Sequence, residues 1–304
     1  MGKASRTKVE VNRRERIAAQ RAAAKRAEQR RRIFIAGGSI LAVIIVVVAF
    51  IVIKANSSSP KPVTTSSANG PTGSALASVV AKVTSVPASV LDSVGEGGGA
   101  VTAKPTTISG SALTSGGKPE MLYIGAEYCP YCGAERWAMI VALSRFGTFT
   151  GLATVHSSST DVDPNTPTWT FANVTYTSKY LTFKPVELTT NVPDSTAPMG
   201  YVPLQTPNAA ETALESKYDG ASGGAIPFID FGNKYMISGA SYDAGLLAKL
   251  SWATIATDLH NPSSPVAKAI GGTANYITAA ICKLTGNQPA SACTSVVQSL
   301  ESQI

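Results

Sequence analysis

Cys129, Pro130, Tyr131 and Cys132 set two thiols three residues apart, directly after the apolar run Met121, Leu122, Tyr123, Ile124 and directly before a helix-like run. A helix starting there puts Cys129 at its N-cap and Pro130 at the first helical position, where a missing N–H costs nothing and the fixed φ suits a helix. The Cys129 sulfur then faces unpaired backbone N–H groups and the positive end of the helix dipole, which favours thiolate over thiol. Cys132, one turn further on, lies beneath Cys129 and is less exposed, so it resolves a mixed disulfide by intramolecular attack. The spacing therefore points to disulfide exchange, with Cys129 as nucleophile and Cys132 as resolver. Half of a zinc site and an inert structural pair are the competing readings. The first is disfavoured because Cys282 and Cys293 are separated by ten residues and the chain has only two histidines, His156 and His260. The second stays open.

Two acids flank the dithiol. Glu127 and Glu135 could each accept a proton from Cys132 during resolution. They could equally be solvated acids at the helix start or partners of Arg136, and a nearby carboxylate raises a thiol pKa.

The elements that must hold these groups are legible in outline. A strand ends at Gly125 and a helix follows over 130–146, with Trp137, Ile140, Val141 and Ser144 at helical spacing and Trp137 read as core. The run 152–156 is expected to be a strand that completes a β-α-β unit around the dithiol helix. Two short helices, 75–83 and 87–94, precede this unit. Residues 157–202 carry Pro, Thr and Ser punctuation with β-prone runs at 169–176 and 180–183. A helix over 207–218 is expected with Thr206 as its cap. Strands 228–231 and 234–237 join through Gly232-Asn233, a combination suited to a tight hairpin. Ser241 is read as the cap of a helix reaching 259, with Asp243 in its first turn. Helices return over 265–284 and 290–300.

Charge is divided unevenly along the chain. Residues 1–32 hold 12 of the 26 Lys and Arg but 3 of the 19 acids, a charge of +9, while the remainder has 14 basic and 16 acidic residues, a charge of −2. The high isoelectric point belongs to the tail, and the rest offers no basic footprint for nucleic acid. The 21 uncharged residues of 33–53 would form a helix roughly 31 Å long at about 1.5 Å per residue, which matches a bilayer core. Arg30, Arg31 and Arg32 precede it and only Lys54 and Lys61 closely follow, so the expected anchor is a single pass with its N-terminus cytoplasmic. It is longer than a cleaved signal's apolar region. The expected organisation is therefore a basic cytoplasmic tail (1–32), a transmembrane helix in the lipid bilayer (33–53), a Ser/Pro/Thr-rich tether (54–73) and an extracytoplasmic domain (74–304). Four cysteines suit an oxidising compartment.

An apolar strand, a Cys-Pro-Tyr-Cys helix start and a later Ile-Pro immediately before a hairpin together resemble the thioredoxin superfamily. That resemblance implies an α/β thioredoxin-like fold, here with an inserted segment and extra N- and C-terminal helices. It also implies a cis Pro227 beside the dithiol, with Ile226, Pro130 and Tyr131 meeting an extended substrate segment. More closely, the chain from about residue 75 resembles the domain of unknown function nine-two-nine family, through Gly125-Ala-Glu-Tyr-Cys-Pro-Tyr-Cys-Gly-Ala-Glu-Arg-Trp137, Ile226-Pro-Phe-Ile-Asp230, Gly239-Ala-Ser-Tyr-Asp243 and Ala280-Ile-Cys-Lys-Leu-Thr-Gly286. The resemblance groups Cys282 with Cys293 as a C-terminal pair, read as a structural bridge, with a secondary redox relay as the sharper alternative. The resulting expectation is a membrane-anchored thiol-disulfide oxidoreductase that acts on protein cysteines, needs no cofactor or metal and exchanges electrons with a membrane redox partner. The opposing expectation is an envelope binding or scaffold module that uses both pairs only as staples.

Overall fold

A computed structural model describes residues 70–220 and 224–304. The expected basic tail, transmembrane helix and most of the tether lie outside the described residues. Among the described residues no single helix is long and apolar enough to cross a membrane.

Two short helices come first, α1 (Gly73–Thr84) and α2 (Ala88–Val94). Next are β1 (Thr106–Thr107), β2 (Thr114–Ser115), β3 (Lys118–Gly125) and the dithiol helix α3 (Pro130–Leu143). The inserted stretch supplies β4 (Gly147–Thr150), β5 (Ala153–His156), β6 (Pro167–Thr170), β7 (Thr175–Ser178), β8 (Thr182–Glu187), β9 (Thr189–Pro193) and β10 (Tyr201–Pro203). After α4 (Ala209–Asp219) come β11 (Phe228–Phe231), β12 (Tyr235–Ser238), α5 (Trp252–Asp258), α6 (Gly272–Thr285) and α7 (Ser295–Leu300).

The central sheet is mixed. β3 pairs antiparallel with β11 on one side and parallel with β8 on the other, and β12 and β1 extend the sheet beyond β11. A strand flanked on both edges and covered on both faces has no solvent side, so it reads as a continuous apolar run instead of alternating. Met121 through Gly125 are accordingly all buried. On one face α3 packs against α6, burying Trp137, Ile140, Ile277 and Ile281 in the main core; a smaller cluster of Leu122, Ile124, Val186 and Phe228 sits on the other. The apolar bulk of these side chains supplies most of the driving force for the layer arrangement.

The β-α-β unit closes differently from expectation. Residues 153–156 do form a strand, but it pairs antiparallel with β6 in a separate two-stranded sheet. The parallel partner of β3 is β8, reached after four intervening strands. Local pattern identifies a strand yet carries no information on which strand it joins; the β-prone run read at 180–183 enters β8, and Pro185 cuts its signal short of Glu187. The helix expected at 207–218 begins later: Asn208 is its cap, with a capping box closed by Glu211, because the Asn side chain reaches two N–H groups that Thr206 does not. The expected helix over 241–259 is broken into a 3-10 turn capped by Asp243 and the helix α5 capped by Ser251. The hairpin forms at the expected turn, but its second strand starts one residue later than read: Phe231 pairs with Tyr235, leaving 232–234 between the strands. Gly232 and Asn233 both take positive φ, 62° and 56°, and the Lys234 N–H closes the turn on the Phe231 carbonyl at 3.0 Å. A disulfide joins Cys282 in α6 to Cys293.

Candidate active site

Chain geometry at the end of β3 delivers the first cysteine. The strand ends on a glycine, and a Cβ at Gly125 would collide with the Tyr123 hydroxyl and ring. The chain then turns through Ala126–Tyr128, and Cys129 takes an extended conformation as the cap of α3, with Pro130 at the first helical position. The Cys129 sulfur accepts the Cys132 backbone N–H at 3.2 Å, so a thiolate there would meet a donor already in place. Cys129 and Cys132 are free thiols and both are buried, Cys129 at 4% exposed and Cys132 at 0%.

The environment drives the two thiols apart. The Cys132 thiol hydrogen-bonds to Cys129 and holds the Cys129 pKa below its ordinary value, helped by the Cys132 N–H and the Arg136 charge against the opposing effect of burial. Cys132 is pushed well above its ordinary value, by burial first and then by Cys129. Of the two thiols, the one at the helix cap is the more acidic.

A segment 97 residues away completes the site. The Cys129 Sγ lies 3.7 Å from the Ile226 carbonyl, the Ile226–Pro227 bond is cis, and the Pro227 carbonyl accepts the Gly239 N–H at 2.8 Å. β11 begins at the next residue, so its pairing with β3 sets this turn against the cap of α3. Beside it opens a groove of about 440 Å³ lined by Tyr131, Ile226, Ala240, Tyr242, Thr102 and Asp243 among others. Tyr131 is 45% exposed on its edge, whereas Pro130 and Pro227 are buried. Dithiol, Tyr131 and the Ile226–Pro227 turn thus meet at one place.

The two acids have distinct surroundings. Glu135 is fully buried and its carboxylate takes both the Ser241 N–H at 2.9 Å and the Ser241 hydroxyl at 3.0 Å; burial still pushes it up to about 7. Glu127 is fully buried and neither carboxylate oxygen makes a well-formed hydrogen bond; burial, with the Glu187 charge adding, pushes it up to about 7 against the opposing pull of the nearby Thr170 hydroxyl, Asn191 N–H and Arg136 charge. Among the described residues neither carboxylate hydrogen-bonds either sulfur. Neither pairs with Arg136, whose partner is Glu187: the guanidinium Nε and Nη2 donate to the two carboxylate oxygens at 2.8 and 2.6 Å, and Nη2 also donates to the Ala126 carbonyl at 2.7 Å. Both side chains of this pair are 0% exposed. It ties α3 to the end of β8 directly beneath the turn that carries Cys129, a desolvated pair whose loss would leave a lone buried charge.

Glu187 carried no recognisable signal in the sequence. Its place opposite Gly125 follows from the parallel register of β3 and β8, which only the assembled sheet reveals. Tyr128 and Tyr201 were likewise unread: their rings stack at 4.1 Å, and the Tyr201 hydroxyl donates to Ser158 Oγ at 2.8 Å. Ser241, read as a helix cap, instead holds Glu135. Among the described residues no three His, Cys, Asp or Glu side chains converge as metal ligands.

No curated protein and no solved structure matches this chain. A family model described as Domain of unknown function (DUF929) matches residues 104–283. The match opens after α1 and α2 and stops short of Cys293, so it is narrower than the resemblance read from residue 75 onward. It does run unbroken from the first sheet strand through the dithiol, Arg136, Glu187 and the Ile226–Pro227 turn, more than half of the chain, and on that match the protein belongs to the DUF929 family.

Proposed function

We propose that this protein is a thiol-disulfide oxidoreductase of thioredoxin-like architecture, held by residues 33–53 in a membrane with its folded domain on the outer face, and that it acts on cysteines of other proteins. The observation that carries this reading is Cys129 itself: a thiol at a helix cap, bonded by the Cys132 N–H, held below its ordinary pKa, and set against the carbonyl of Ile226, which lines the neighbouring groove. The order β3, α3, β8 with β11 antiparallel beside β3 supports the thioredoxin-like assignment.

In the reducing direction the Cys129 thiolate attacks one sulfur of a substrate disulfide. A Cys129–substrate S–S bond forms, the substrate S–S bond breaks, and the leaving sulfur departs as a thiolate that takes up a proton. Cys132 then loses its proton and attacks the Cys129 sulfur, which releases the second substrate sulfur and leaves the Cys129–Cys132 disulfide. Two electrons pass from the chain to the substrate. The reverse sequence inserts a disulfide, and a membrane redox partner resets the pair in either direction. Glu127 is the acid with unoccupied oxygens near the motif and serves as the candidate acceptor for the Cys132 proton. Glu135 is held by Ser241 and acts in position, not in proton transfer. The Cys282–Cys293 bridge is a structural staple.

The test uses the full chain in detergent. The Cys132→Ser variant should accumulate mixed disulfides with protein thiols through Cys129, and a further Cys129→Ser change should abolish them. A reduction potential of about −120 to −180 mV for the pair would mark an oxidant or isomerase, and about −270 mV a reductant. Absence of trapping together with a potential below about −300 mV would replace this reading with that of a scaffold carrying two structural bridges.

A further inference from the structure

Three large hydrophobic side chains stand exposed among the described residues: Tyr131 at 45%, Val162 at 66% and Met199 at 39%. All three belong to segments that meet around Tyr128 and Cys129. Val162 lies in the 157–166 loop, whose Ser158 N–H donates to the Tyr128 carbonyl at 2.7 Å. Met199 lies in the turn before Tyr201, which stacks on Tyr128 and donates to the same Ser158. Tyr131 edges the groove that ends at Asp243. Exposed apolar groups are ordinary when scattered, but gathered on one face around a groove they mark a contact surface.

The charge on this face is of one sign. The segments 157–166, 189–203 and 239–246 contain Asp161, Asp163, Asp194 and Asp243 and no Lys, Arg or Glu. Asp163 and Asp243 face one another across Gly245, each with a carboxylate oxygen 3.1 Å from where a Cβ on that glycine would lie. Asp163 is held above its usual range by burial and then by the charges of Asp243 and Asp161. The Tyr128 hydroxyl, pushed up to about 12 by burial first, also feels both Cys129 and Asp161, which sets that carboxylate in the field of the dithiol. No basic side chain is among the charges these two groups feel. A rim of this sign complements a cationic side chain on the molecule that docks.

We propose that the groove from Tyr131 and Ile226 to Asp243, with the Asp161 and Asp163 rim, selects extended substrate segments whose cysteine is flanked by lysine or arginine. This rests on the exchange reading above and names its substrate class. Apolar contact with Tyr131, Ile226 and Ala240 holds the backbone of the segment, and the rim carboxylates receive the cationic side chain. An acidic flank is repelled by the rim and by the Cys129 thiolate together, which gives selectivity through repulsion as well as attraction.

The experiment measures thionitrobenzoate release when the full-length Cys132→Ser chain in detergent attacks short peptides. Each peptide carries one cysteine as a mixed disulfide with thionitrobenzoate and Lys, Gln or Glu on both sides. Attack by Cys129 forms the Cys129–peptide disulfide and expels thionitrobenzoate, so no outside reductant enters. The Lys peptide should react about tenfold faster than the Glu peptide at low salt, as expected for electrostatic steering, and the gap should close at about 1 M salt. Replacing Asp161, Asp163 and Asp243 with asparagine should bring the Lys-to-Glu ratio to about one. Asp161→Asn alone should lower it partway, since that carboxylate bonds only the neighbouring Val162 N–H among the described residues. Equal rates for the Lys and Glu peptides, a preference for Gln over both, or a ratio that survives the triple substitution would overturn the proposal while leaving exchange intact. Release from none of the peptides would overturn the exchange reading instead.

Discussion

Arg136→Met tests whether the buried ion pair both supports the fold and tunes the nucleophile. Methionine keeps the length of the side chain and removes the charge, so Glu187 is left as an unpaired anion at 0% exposure and the Ala126 carbonyl loses its 2.7 Å donor. Removing one member of a buried pair costs about 3–5 kcal/mol, because the remaining charge cannot be solvated. At about 2–4 °C per kcal/mol for a folded unit of this size, the melting temperature should fall by about 6–20 °C. The double variant Arg136→Met, Glu187→Leu should regain most of that loss, since an apolar pair of similar volume is often as stable as the ion pair it replaces. A residual of about 1–2 kcal/mol should persist from the Ala126 carbonyl, left with only the Cys129 N–H at 3.3 Å, and from the Phe171 N–H that Glu187 accepts at 3.1 Å. Acidity should behave otherwise. Arg136 helps to hold the Cys129 pKa down, so that pKa should rise in both variants and should not recover with stability. The assays are urea unfolding of the four members of the cycle and thiolate absorbance against pH in the Cys132→Ser background. A single-variant cost below about 1 kcal/mol, or a double variant no more stable than the single, would refute the assignment of Glu187 as the partner that makes burial of Arg136 tolerable.

Glu127 makes a pH-dependent contribution. Its folded pKa of about 7 lies above its ordinary 4.5, so the stability of its neutral form is complete below pH 4.5 and is lost as pH rises through about 7. Glu127→Gln should flatten that part of the stability profile and stabilise the protein at pH 8, by on the order of 3 kcal/mol at most; chemical denaturation from pH 4 to 8 would sink the idea if the two profiles ran parallel. Gly125→Ala should destabilise by about 1–3 kcal/mol through collision with Tyr123, and Tyr123→Phe should relieve part of that loss while costing nothing alone, because the Tyr123 hydroxyl is buried without a partner. Equal losses with and without the hydroxyl would contradict the collision. Replacing Cys282 and Cys293 with alanine opens a bridge of sequence separation 11 and should cost about 3 kcal/mol in thermal unfolding while leaving Cys129 trapping intact; loss of trapping at temperatures where the variant stays folded would instead make that pair a redox relay.

What the sequence determined is what the neighbouring residues decide among themselves. Cys129 at a helix cap, Pro130 at the first turn, the apolar strand up to Gly125 and the Gly232-Asn233 hairpin all follow from local steric and hydrogen-bond rules acting over a few residues. The Ile226–Pro227 turn beside the dithiol came from family resemblance, since no local rule joins segments 97 residues apart. Tertiary structure decided the rest. β8, and not β5, is the parallel neighbour of β3, and that register delivers Glu187 to Arg136. The chain beyond Ser241 could not run on as one helix: its first residues are drawn to Glu135 by two hydrogen bonds, stronger locally than the helix signal of Ser241 and Asp243. The acidic and apolar face around Cys129 is assembled from three segments spread over 157–246, so its single sign of charge exists only once the 157–166 loop meets Tyr201 beside Tyr128 and Asp163 meets Gly245 in the turn after β12.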